Sequence, residues 1–364
     1  MENRKIKIAI TQGDTNSIGY EIIFKAFDDP TMLELCTPII YGSPKIATYH
    51  RNALQMQVNF AVIDRAEDAH DGQLNILNCI DTDVKIELGI HTEEAGNAAL
   101  KALDRAIDDC RQGEVDAMVT CPVDSSEAFR FSGQTRYIED HTGEFDSALN
   151  IYVTNAMRLA VASGNVPLRE VAASINEQHL TKIITTLHTA MRRDFGISNP
   201  RIALLSVNPG LELTPAEGSE EQAVLKPVVD KLKENSIQTF GPYVAENFFA
   251  AGKHSAFDAV LAMYYDQGMA AMRALSNEDG YRLTTGLPFV RTAPDHNCCM
   301  KLAGKGEADC SSLRKAIYAA IDTARNRRNY DIPLANPLKK LYKERREEGD
   351  KPRFAQAKPK SPVQ

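Results

Sequence analysis

The chain has 364 residues, of which 43% are hydrophobic and 25% charged, as is ordinary for a soluble globular protein large enough to form two lobes. Its formal net charge of −7 argues against a nucleic-acid-binding protein, which usually presents a basic face. No apolar stretch approaches the roughly 20 residues that span a bilayer, the N-terminus lacks a signal-peptide pattern, and 7 scattered cysteines indicate reduced thiols. We therefore expect a cytoplasmic protein without membrane or nucleic-acid partners.

The first part of the chain alternates between strand and helix patterns. Alternating β-branched residues predict a strand over residues 5–11, followed by a turn and a helix. A second strand is predicted over residues 37–43. Ser43 and Pro44 then favour a helix start, because serine accepts a backbone hydrogen bond and proline fits the first helical position. Apolar residues at every third to fourth position predict a long helix over residues 92–112.

The same alternation continues to the last long helix. Further strands are predicted over residues 116–124, 157–163, 201–210 and 257–265, and further helices from Pro167, over residues 179–195 before the cap residue Gly196, and over residues 311–325. Ser219 with Gln222 predicts a capping box that opens another helix. Alternating strands and helices favour an α/β fold in which helices cover both faces of a parallel sheet.

Residues 339–364 form a tail that is rich in lysine, arginine and proline and poor in apolar residues. Because such a segment cannot bury a core, the tail is predicted to be largely disordered after a short helical start. A solvated terminus explains its basic residues better than a nucleic-acid role does.

The stretch LAMYYDQG, residues 261–268, predicts a buried strand that ends in a tight polar turn. In parallel α/β sheets, ligands bind beyond the carboxyl ends of the strands, so this turn is a candidate site. Tyr265 is unusual there, because a phenol hydroxyl is a poor metal ligand at neutral pH and does not readily gain or lose a proton.

Three further loops offer groups that bind anions. Residues 12–19 present backbone amides before a helix, although a plain turn explains them equally well. Residues 131–135 place small polar groups around a glycine, and a surface turn explains them better. Arg273, Arg282 and Arg291 flank a strand-like stretch, and arginine grips carboxylate or phosphate through paired hydrogen bonds.

Arg291 is the strongest of these arginines, because it ends an apolar run, whereas a lone arginine is usually a solvated surface residue. The loop that follows contains Asp295, His296 and Asn297. A histidine flanked in this way either faces a nucleotide or lies in a helix-capping loop.

Histidine spacing predicts no metal site. None of the 8 histidines forms an HxH, HExxH or Cys/His pattern. His179 and His188 share a predicted helix but point to opposite faces at about 100° per residue. A metal site assembled from carboxylates of distant segments remains an alternative.

Taken in order, these loops resemble one enzyme family. The segments ITQGD, TCPV, FSGQT, NVPLREV, SVNPG, VLAMYYDQG, TTGLPFVRTAPDH and LAGKGEAD resemble the 4-hydroxythreonine-4-phosphate dehydrogenase family of pyridoxal phosphate biosynthesis, over about residues 5–328. The resemblance implies a two-lobed α/β/α fold like that of isocitrate and isopropylmalate dehydrogenases, with the cleft between the lobes, and a homodimer. The lobes would be residues 1–122 with 303–338, and residues 123–302.

The resemblance also implies a chemistry. Family members use NAD and a divalent metal to oxidise a phosphorylated hydroxy-amino acid, which then decarboxylates, and three histidines hold the metal, one of them from the other subunit. In this chain Asn165, Gly210 and Tyr265 occupy the three histidine positions. We therefore expect that no metal binds in the manner of the family.

The remaining family positions carry over with changes. The substrate positions are Gln134, Thr135, Arg273, Arg282 and Arg291, where the family has histidine, threonine, lysine, asparagine and arginine. The NAD positions are His296, Asn297, Ala303 and Gly304, and the change at Asn297 leaves NAD binding open. The catalytic residue is unassigned, with Tyr265 and Asp266 as candidates.

Three hypotheses follow from these substitutions. The favoured one is an altered, metal-independent activity on a small anionic metabolite carrying phosphate or carboxylate. The alternative is a catalytically inactive paralogue with a ligand-binding or regulatory role, paired with itself or with an intact relative. The third is the ordinary metal-dependent family reaction, supported by a metal site of another kind.

Overall fold

The computed structural model describes residues 4–80, 83–123, 133–143, 147–210, 219–276 and 280–336. The predicted tail and residues 131–132 of the second loop lie outside these ranges. The strands are β1 (Ile6–Thr11), β2 (Cys36–Gly42), β3 (Phe60–Ile63), β4 (Leu74–Asn78), β5 (Ala117–Thr120), β6 (Leu149–Val153), β7 (Arg158–Val161), β8 (Ile202–Leu205), β9 (Thr239–Tyr243), β10 (Ala259–Ala262), β11 (Tyr281–Thr285) and β12 (Val290–Pro294).

The helices connect these strands. They are α1 (Gly19–Ala26), α2 (Thr31–Leu35), α3 (Pro44–Ala53), α4 (Glu93–Gln112), α5 (Gln134–Thr142), α6 (Val171–Ser174), α7 (Glu177–Arg193), α8 (Lys226–Glu234), α9 (Ala245–Ala250), α10 (Tyr265–Leu275) and α11 (Ser311–Ala335). The long helix α4 begins as predicted, because the Thr92 side chain accepts a hydrogen bond from the Ala95 amide.

All described strands belong to one sheet, in the order β3-β4-β2-β1-β5-β12-β11-β6-β7-β10-β8-β9. The strands from β3 to β12 are parallel to one another, and so are those from β7 to β9. The two groups meet at antiparallel pairs formed by β12, β11, β6 and β7. The α/β class is confirmed, but the expectation of a parallel sheet is wrong at its centre, because β11 and β12 form a hairpin.

Helices cover both faces of this sheet, as the strand and helix alternation predicts. Ile8 packs in the core beneath α1 and α11, whereas the next residue, Ala9, packs beneath α4 on the opposite face. In the other half, Ala160 faces α7 and α8, and Leu159 faces α9 and α10. Successive residues of a strand point to opposite faces, and a strand covered on both faces is therefore apolar throughout.

Three local expectations are wrong. The predicted turn after residue 264 is the first turn of α10, so Tyr265 is a helical residue. Ser219 forms no capping box, because its carbonyl rather than its hydroxyl accepts the Gln222 amide, and the hydroxyl is buried without a partner. The helix predicted from Pro167 is only a short turn followed by α6.

Helix α3 begins at Pro44 as predicted, but Ser43 does not cap it through its side chain. The Ser43 backbone amide instead donates to Gln12 Oε1 and to the Tyr20 hydroxyl. Four strands of the structure, β3, β4, β6 and β9, have no counterpart among the predictions.

Candidate functional site

A cavity of about 770 Å³ lies over the antiparallel centre of the sheet. Alternate residues of neighbouring strands form its floor, because side chains two apart on a strand share a face. Thr284 of β11 pairs with Arg291 of β12 and with Asn150 of β6. Two residues earlier on β11, Arg282 pairs with Tyr152 of β6.

The cavity brings together most of the residues that the sequence singled out. Its lining includes Gln134, Thr135, Asn165, Tyr265, Arg273, Arg282, Arg291, His296 and Asn297. Gly210, Asp266, Ala303 and Gly304 are not among its described lining residues. Residues 12–18 are buried within the first half of the molecule and do not line it either.

Arg291 is only 1% exposed and is held entirely by neutral acceptors. Its guanidinium donates to the Thr120 hydroxyl at 2.7 Å, the Thr284 hydroxyl at 2.8 Å and Gln134 Oε1 at 2.7 Å, and more weakly to Thr135. No carboxylate among the described residues accepts a hydrogen bond from this guanidinium. Burial of a charge without a counter-ion is costly, so this cavity is suited to an anionic ligand.

The surroundings of Arg291 also shift the pKa of its guanidinium. Burial, together with the nearby positive charge of Arg282, lowers the pKa of Arg291 to about 9. The guanidinium therefore stays protonated at neutral pH, but its charge is less favourable than in water. A bound anion would offset both effects.

Gln134 and Thr135 open helix α5, which begins after Gly133 at a φ of 93°. The Gln134 amide group is fully used, since Nε2 donates to the Cys121 carbonyl at 2.8 Å while Oε1 accepts from Arg291 at 2.7 Å. Thr135 donates to Asn150 Oδ1 at 3.3 Å. Gln134 thus positions Arg291, whereas Thr135 remains next to the space where a ligand would lie.

Arg273 and Arg282 differ in their partners. Arg273 of α10 forms an ion pair with Asp295, with Nη2 2.6 Å from Oδ2. Arg282 lies over the ring of Tyr152, with its guanidinium carbon 5.8 Å from the ring centroid, and its buried Nε has no hydrogen-bond partner. The charge of Arg273 is therefore compensated by Asp295, whereas no described carboxylate compensates that of Arg282.

Two tyrosines, Tyr152 and Tyr265, line the cavity next to Arg282. The rings of Tyr152 and Tyr265 meet edge to face, with centroids 6.0 Å apart. Burial raises the pKa of Tyr152 to about 12, so its hydroxyl stays protonated and can donate a hydrogen bond. Tyr265 is 39% exposed, which places its hydroxyl within reach of a bound ligand or of solvent.

The three positions that the resemblance assigns to the metal do not offer the histidine set that it implies. Asn165 and Tyr265 line the cavity, whereas Gly210 lies in the loop after β8 and has no side chain. An amide oxygen and a phenol hydroxyl are weak ligands for a divalent ion. In the part of the chain that the structure describes, no group of three or more His, Cys, Asp or Glu side chains is arranged to hold a metal. These residues do not fit a three-histidine site.

At the predicted cofactor positions, His296 is the residue best placed to contact a ligand. Its Nδ1 lies 2.9 Å from the Asn297 carbonyl, so Nδ1 carries the proton of the neutral ring. Its Nε2 is buried and has no hydrogen-bond partner among the described residues. Gly304 shapes the following loop, because it has a φ of 74° and a Cβ there would lie 2.6 Å from Leu88 Cδ1. The unpartnered Nε2 of His296 is suited to a polar ligand atom, whereas Gly304 is required by its packing against Leu88.

The sequence predictions missed several groups of the site. Thr120 and Thr284 hold Arg291, and Tyr152 contacts Arg282. The sequence places Asp295 in a candidate loop, but does not identify it as the ion-pair partner of Arg273. The alternating pattern of β6 places Asn150 and Tyr152 on one face and could have indicated them. The partners of each arginine come from distant parts of the chain and leave no local pattern.

The search for membrane-spanning segments gives a negative result. None of the helices in the described ranges combines the length and the apolar character needed to cross a membrane.

Comparison with known proteins gives concordant matches. Residues 34–320 match the family described as pyridoxal phosphate biosynthetic protein PdxA. A 4-hydroxythreonine-4-phosphate dehydrogenase of Bacteroides thetaiotaomicron is 46% identical over 355 residues, covering 96% of this chain and 98% of the relative. One of Chromobacterium violaceum is 33% identical over 317 residues, covering 86% and 95%.

Solved structures agree with these matches. A 4-hydroxythreonine-4-phosphate dehydrogenase from Burkholderia phymatum aligns with a TM-score of 0.72 at 26% identity, over 88% of this chain and 99% of that chain. One from Klebsiella pneumoniae aligns with a TM-score of 0.76 at 25% identity, over 89% and 99%.

Proposed function

The chain belongs to the PdxA family of pyridoxal phosphate biosynthetic proteins, and from this membership we propose that it is an NAD-dependent oxidoreductase whose chemistry does not use the family's three-histidine metal site. The proposed substrate is a small phosphorylated hydroxy acid, in keeping with the relatives' name, 4-hydroxythreonine-4-phosphate dehydrogenase. The observation that carries the proposal is Arg291, a buried cation that lines a cavity and has no counter-ion among the described residues.

Binding would begin with the anionic group of the substrate. Arg291 can donate to a phosphate while Thr120, Thr284 and Gln134 hold its guanidinium in place. Thr135 supplies a hydroxyl at the same end of the cavity. A fixed anionic end orients the rest of a small hydroxy acid, and such positioning is itself a large part of catalysis.

Oxidation of an alcohol requires that the hydroxyl proton be removed and the forming carbonyl be polarised. NAD, when bound, supplies the acceptor of the hydride, and His296 would contact it. Tyr265 is the proposed group beside the reacting oxygen, because it occupies a position that the resemblance assigns to the metal and its side chain is 39% exposed. Its hydroxyl would take up the alcohol proton while passing its own to solvent water, so that the proton leaves the site as the hydride goes to NAD. Tyr152, which keeps its proton, can support it through a hydrogen bond. Asp266 is the weaker catalytic candidate, since it does not line the cavity.

The same substitutions support a second candidate, an inactive paralogue that binds an anionic metabolite. Loss of all three metal ligands together with a kept anion site is what a ligand-binding or regulatory protein would show. We further propose a cytoplasmic homodimer with the lobe boundaries given above, as the family resemblance implies.

NADH formation, followed by its absorbance, separates these candidates. With 4-phosphohydroxythreonine and related phosphorylated hydroxy acids, we expect slow NADH formation that is unchanged by a metal chelator. Tyr265→Phe should lower kcat at least tenfold and leave the affinity for inorganic phosphate within about twofold, because the hydroxyl is lost and the arginine site is kept.

Other outcomes decide against the proposal. Activity that a chelator abolishes and a divalent ion restores would reinstate the metal-dependent reaction. Phosphate binding without turnover on any of these acids would favour the inactive paralogue. Absence of any phosphate binding would exclude both.

A further inference from the structure

Two arginines of the cavity have no counter-ion within the described ranges, and they lie on neighbouring strands. Of the charged groups that line the cavity in the described ranges, Arg136 is paired with Asp140, and Arg273 with Asp295. The remaining carboxylate of the lining, Glu139, accepts the Ala148 amide at 2.8 Å. Arg291 and Arg282 are left without a carboxylate partner, so the cavity carries an excess of positive charge.

Their separation follows from the register of the β11–β12 hairpin. Arg282 pairs with Ala293, and Arg291 lies two residues earlier on β12. The two arginines are therefore diagonal neighbours on one face, with backbones about 7–8 Å apart. Two guanidinium groups at this spacing can each face one end of a three- or four-carbon acid.

Arg282 is held in place by packing, while its Nε donates no hydrogen bond to the described residues. Its guanidinium packs over the Tyr152 ring, its Nε is buried without an acceptor, and its charge is close enough to Arg291 to disfavour the protonated form of that residue. A buried donor without a partner and a like charge nearby both cost stability. An anionic group bound at Arg282 would remove both costs.

We propose that Arg282 is a specificity-determining residue that binds a second anionic group, so that the site selects small ligands with a phosphate at Arg291 and a separate carboxylate at Arg282. This inference rests on the proposed function, since it takes Arg291 as the phosphate site. Asparagine, which the resemblance implies for the family at this position, can donate hydrogen bonds through its amide but brings no charge. The arginine therefore changes which ligands bind well, and Arg291 decides whether an anion binds at all.

The test compares two probes on the full chain by thermal shift at low ionic strength. Inorganic phosphate supplies one anionic group, and 3-phosphoglycerate supplies a phosphate and a carboxylate on a three-carbon chain. We expect 3-phosphoglycerate to bind the unmodified protein at least tenfold more tightly than phosphate. In Arg282→Asn this preference should fall below about threefold, with phosphate affinity changed by less than about threefold.

Two further measurements guard against a folding artefact. Arg282→Asn should melt at the same or a higher temperature without ligand, because it removes an uncompensated charge. Arg65→Asn is the matched control, since Arg65 is an exposed arginine paired with Glu67 and Asp68 far from the cavity, and both affinities should stay unchanged.

Each remaining result contradicts a defined claim. If Arg282→Asn weakens both probes by the same factor, or if the unmodified protein binds both equally, the specificity role is wrong while the anion site stands. If neither probe shifts the melting temperature of the unmodified protein, the proposed function fails and this inference with it. A lower melting temperature of ligand-free Arg282→Asn would show that Arg282 acts in packing.

Discussion

Arg291 shows how one side chain can be fully buried and still be prepared for a ligand. Its donors are distributed over three threonines and one glutamine, all of them neutral. Neutral acceptors fix the orientation of the guanidinium without cancelling its charge. The positive potential therefore stays available to a bound phosphate, in a surrounding of low polarity where electrostatic interactions are strong.

Replacement of Arg291 by lysine tests this arrangement. Lysine keeps a positive charge but cannot donate to Thr120, Thr284 and Gln134 in the planar geometry of a guanidinium, and its ammonium loses its proton more readily when buried. We expect Arg291→Lys to bind inorganic phosphate at least tenfold more weakly at pH 8, as measured by calorimetry.

The same substitution at Arg105, which is partly exposed and paired with Asp109 on α4, serves as the control for Arg291→Lys. Arg105→Lys should leave phosphate affinity unchanged. Equal affinities of Arg291→Lys and the unmodified protein would show that phosphate binds elsewhere.

At the scale of elements, the β11–β12 hairpin carries the recognition groups. It brings Arg282, Thr284 and Arg291 onto one face and pairs with β6 on one side and β5 on the other. The hairpin turn contains Gly286, which has a φ of 84° and lies against the backbone of Ser147. Only glycine adopts this φ without strain, so the turn residue fixes the register of the hairpin.

Gly286→Ala should therefore be strongly destabilising. A Cβ at this position would lie 1.9 Å from the Ser147 carbonyl oxygen, which is backbone and cannot move freely. Strain at positive φ and overpacking together predict a loss of about 2–4 kcal/mol in the free energy of unfolding, measured by urea denaturation.

Gly72→Ala is the matched control for the hairpin variant. Gly72 also has a positive φ, 72°, but a Cβ there meets nothing within 4 Å. Its expected cost is about 1 kcal/mol, from backbone strain alone. Equal losses for the two variants would mean that the close contact with Ser147 does not constrain the hairpin.

At the scale of the whole molecule, α11 ties the two halves of the sheet together. It packs against β12, β5 and β1 and also against α7 of the other half. Where α11 meets the end of α7, Arg327 donates to Asp194 Oδ1 at 2.7 Å, and both side chains are buried. Asn326 adds a hydrogen bond to the Asp194 carbonyl. This ion pair holds the halves whose junction forms the cavity.

Asp194→Asn should destabilise the whole protein. It leaves the buried guanidinium of Arg327 without a counter-ion, which costs about 3–5 kcal/mol. We expect the urea midpoint to fall accordingly. Asp322→Asn is the control, because Asp322 forms an exposed, loose pair with Arg325 on the same helix, and its midpoint should not change measurably. A similar midpoint for both variants would contradict the role given to the buried pair.

Local patterns in the sequence determined much of this architecture. The strands β1, β2 and β10, the helix α4 and the family membership could be identified from periodicity, caps and loop motifs, because these depend on residues that are neighbours in the chain. Arg291 could also be singled out, since a charged residue at the end of an apolar run is unusual.

Only the tertiary structure decided how charge is distributed in the site. Arg291 and Thr120 are 171 positions apart, and Arg273 and Asp295 are 22 apart. The sequence singled out Arg291 but could not separate Arg273 from Arg282, whereas folding pairs Arg273 with a carboxylate and leaves Arg282 and Arg291 without one among the described residues. The antiparallel pairing at the centre of the sheet could not be predicted from the sequence either, because strand direction depends on how distant segments pair. Charge compensation and strand pairing are properties of spatial neighbours, which local periodicity does not encode.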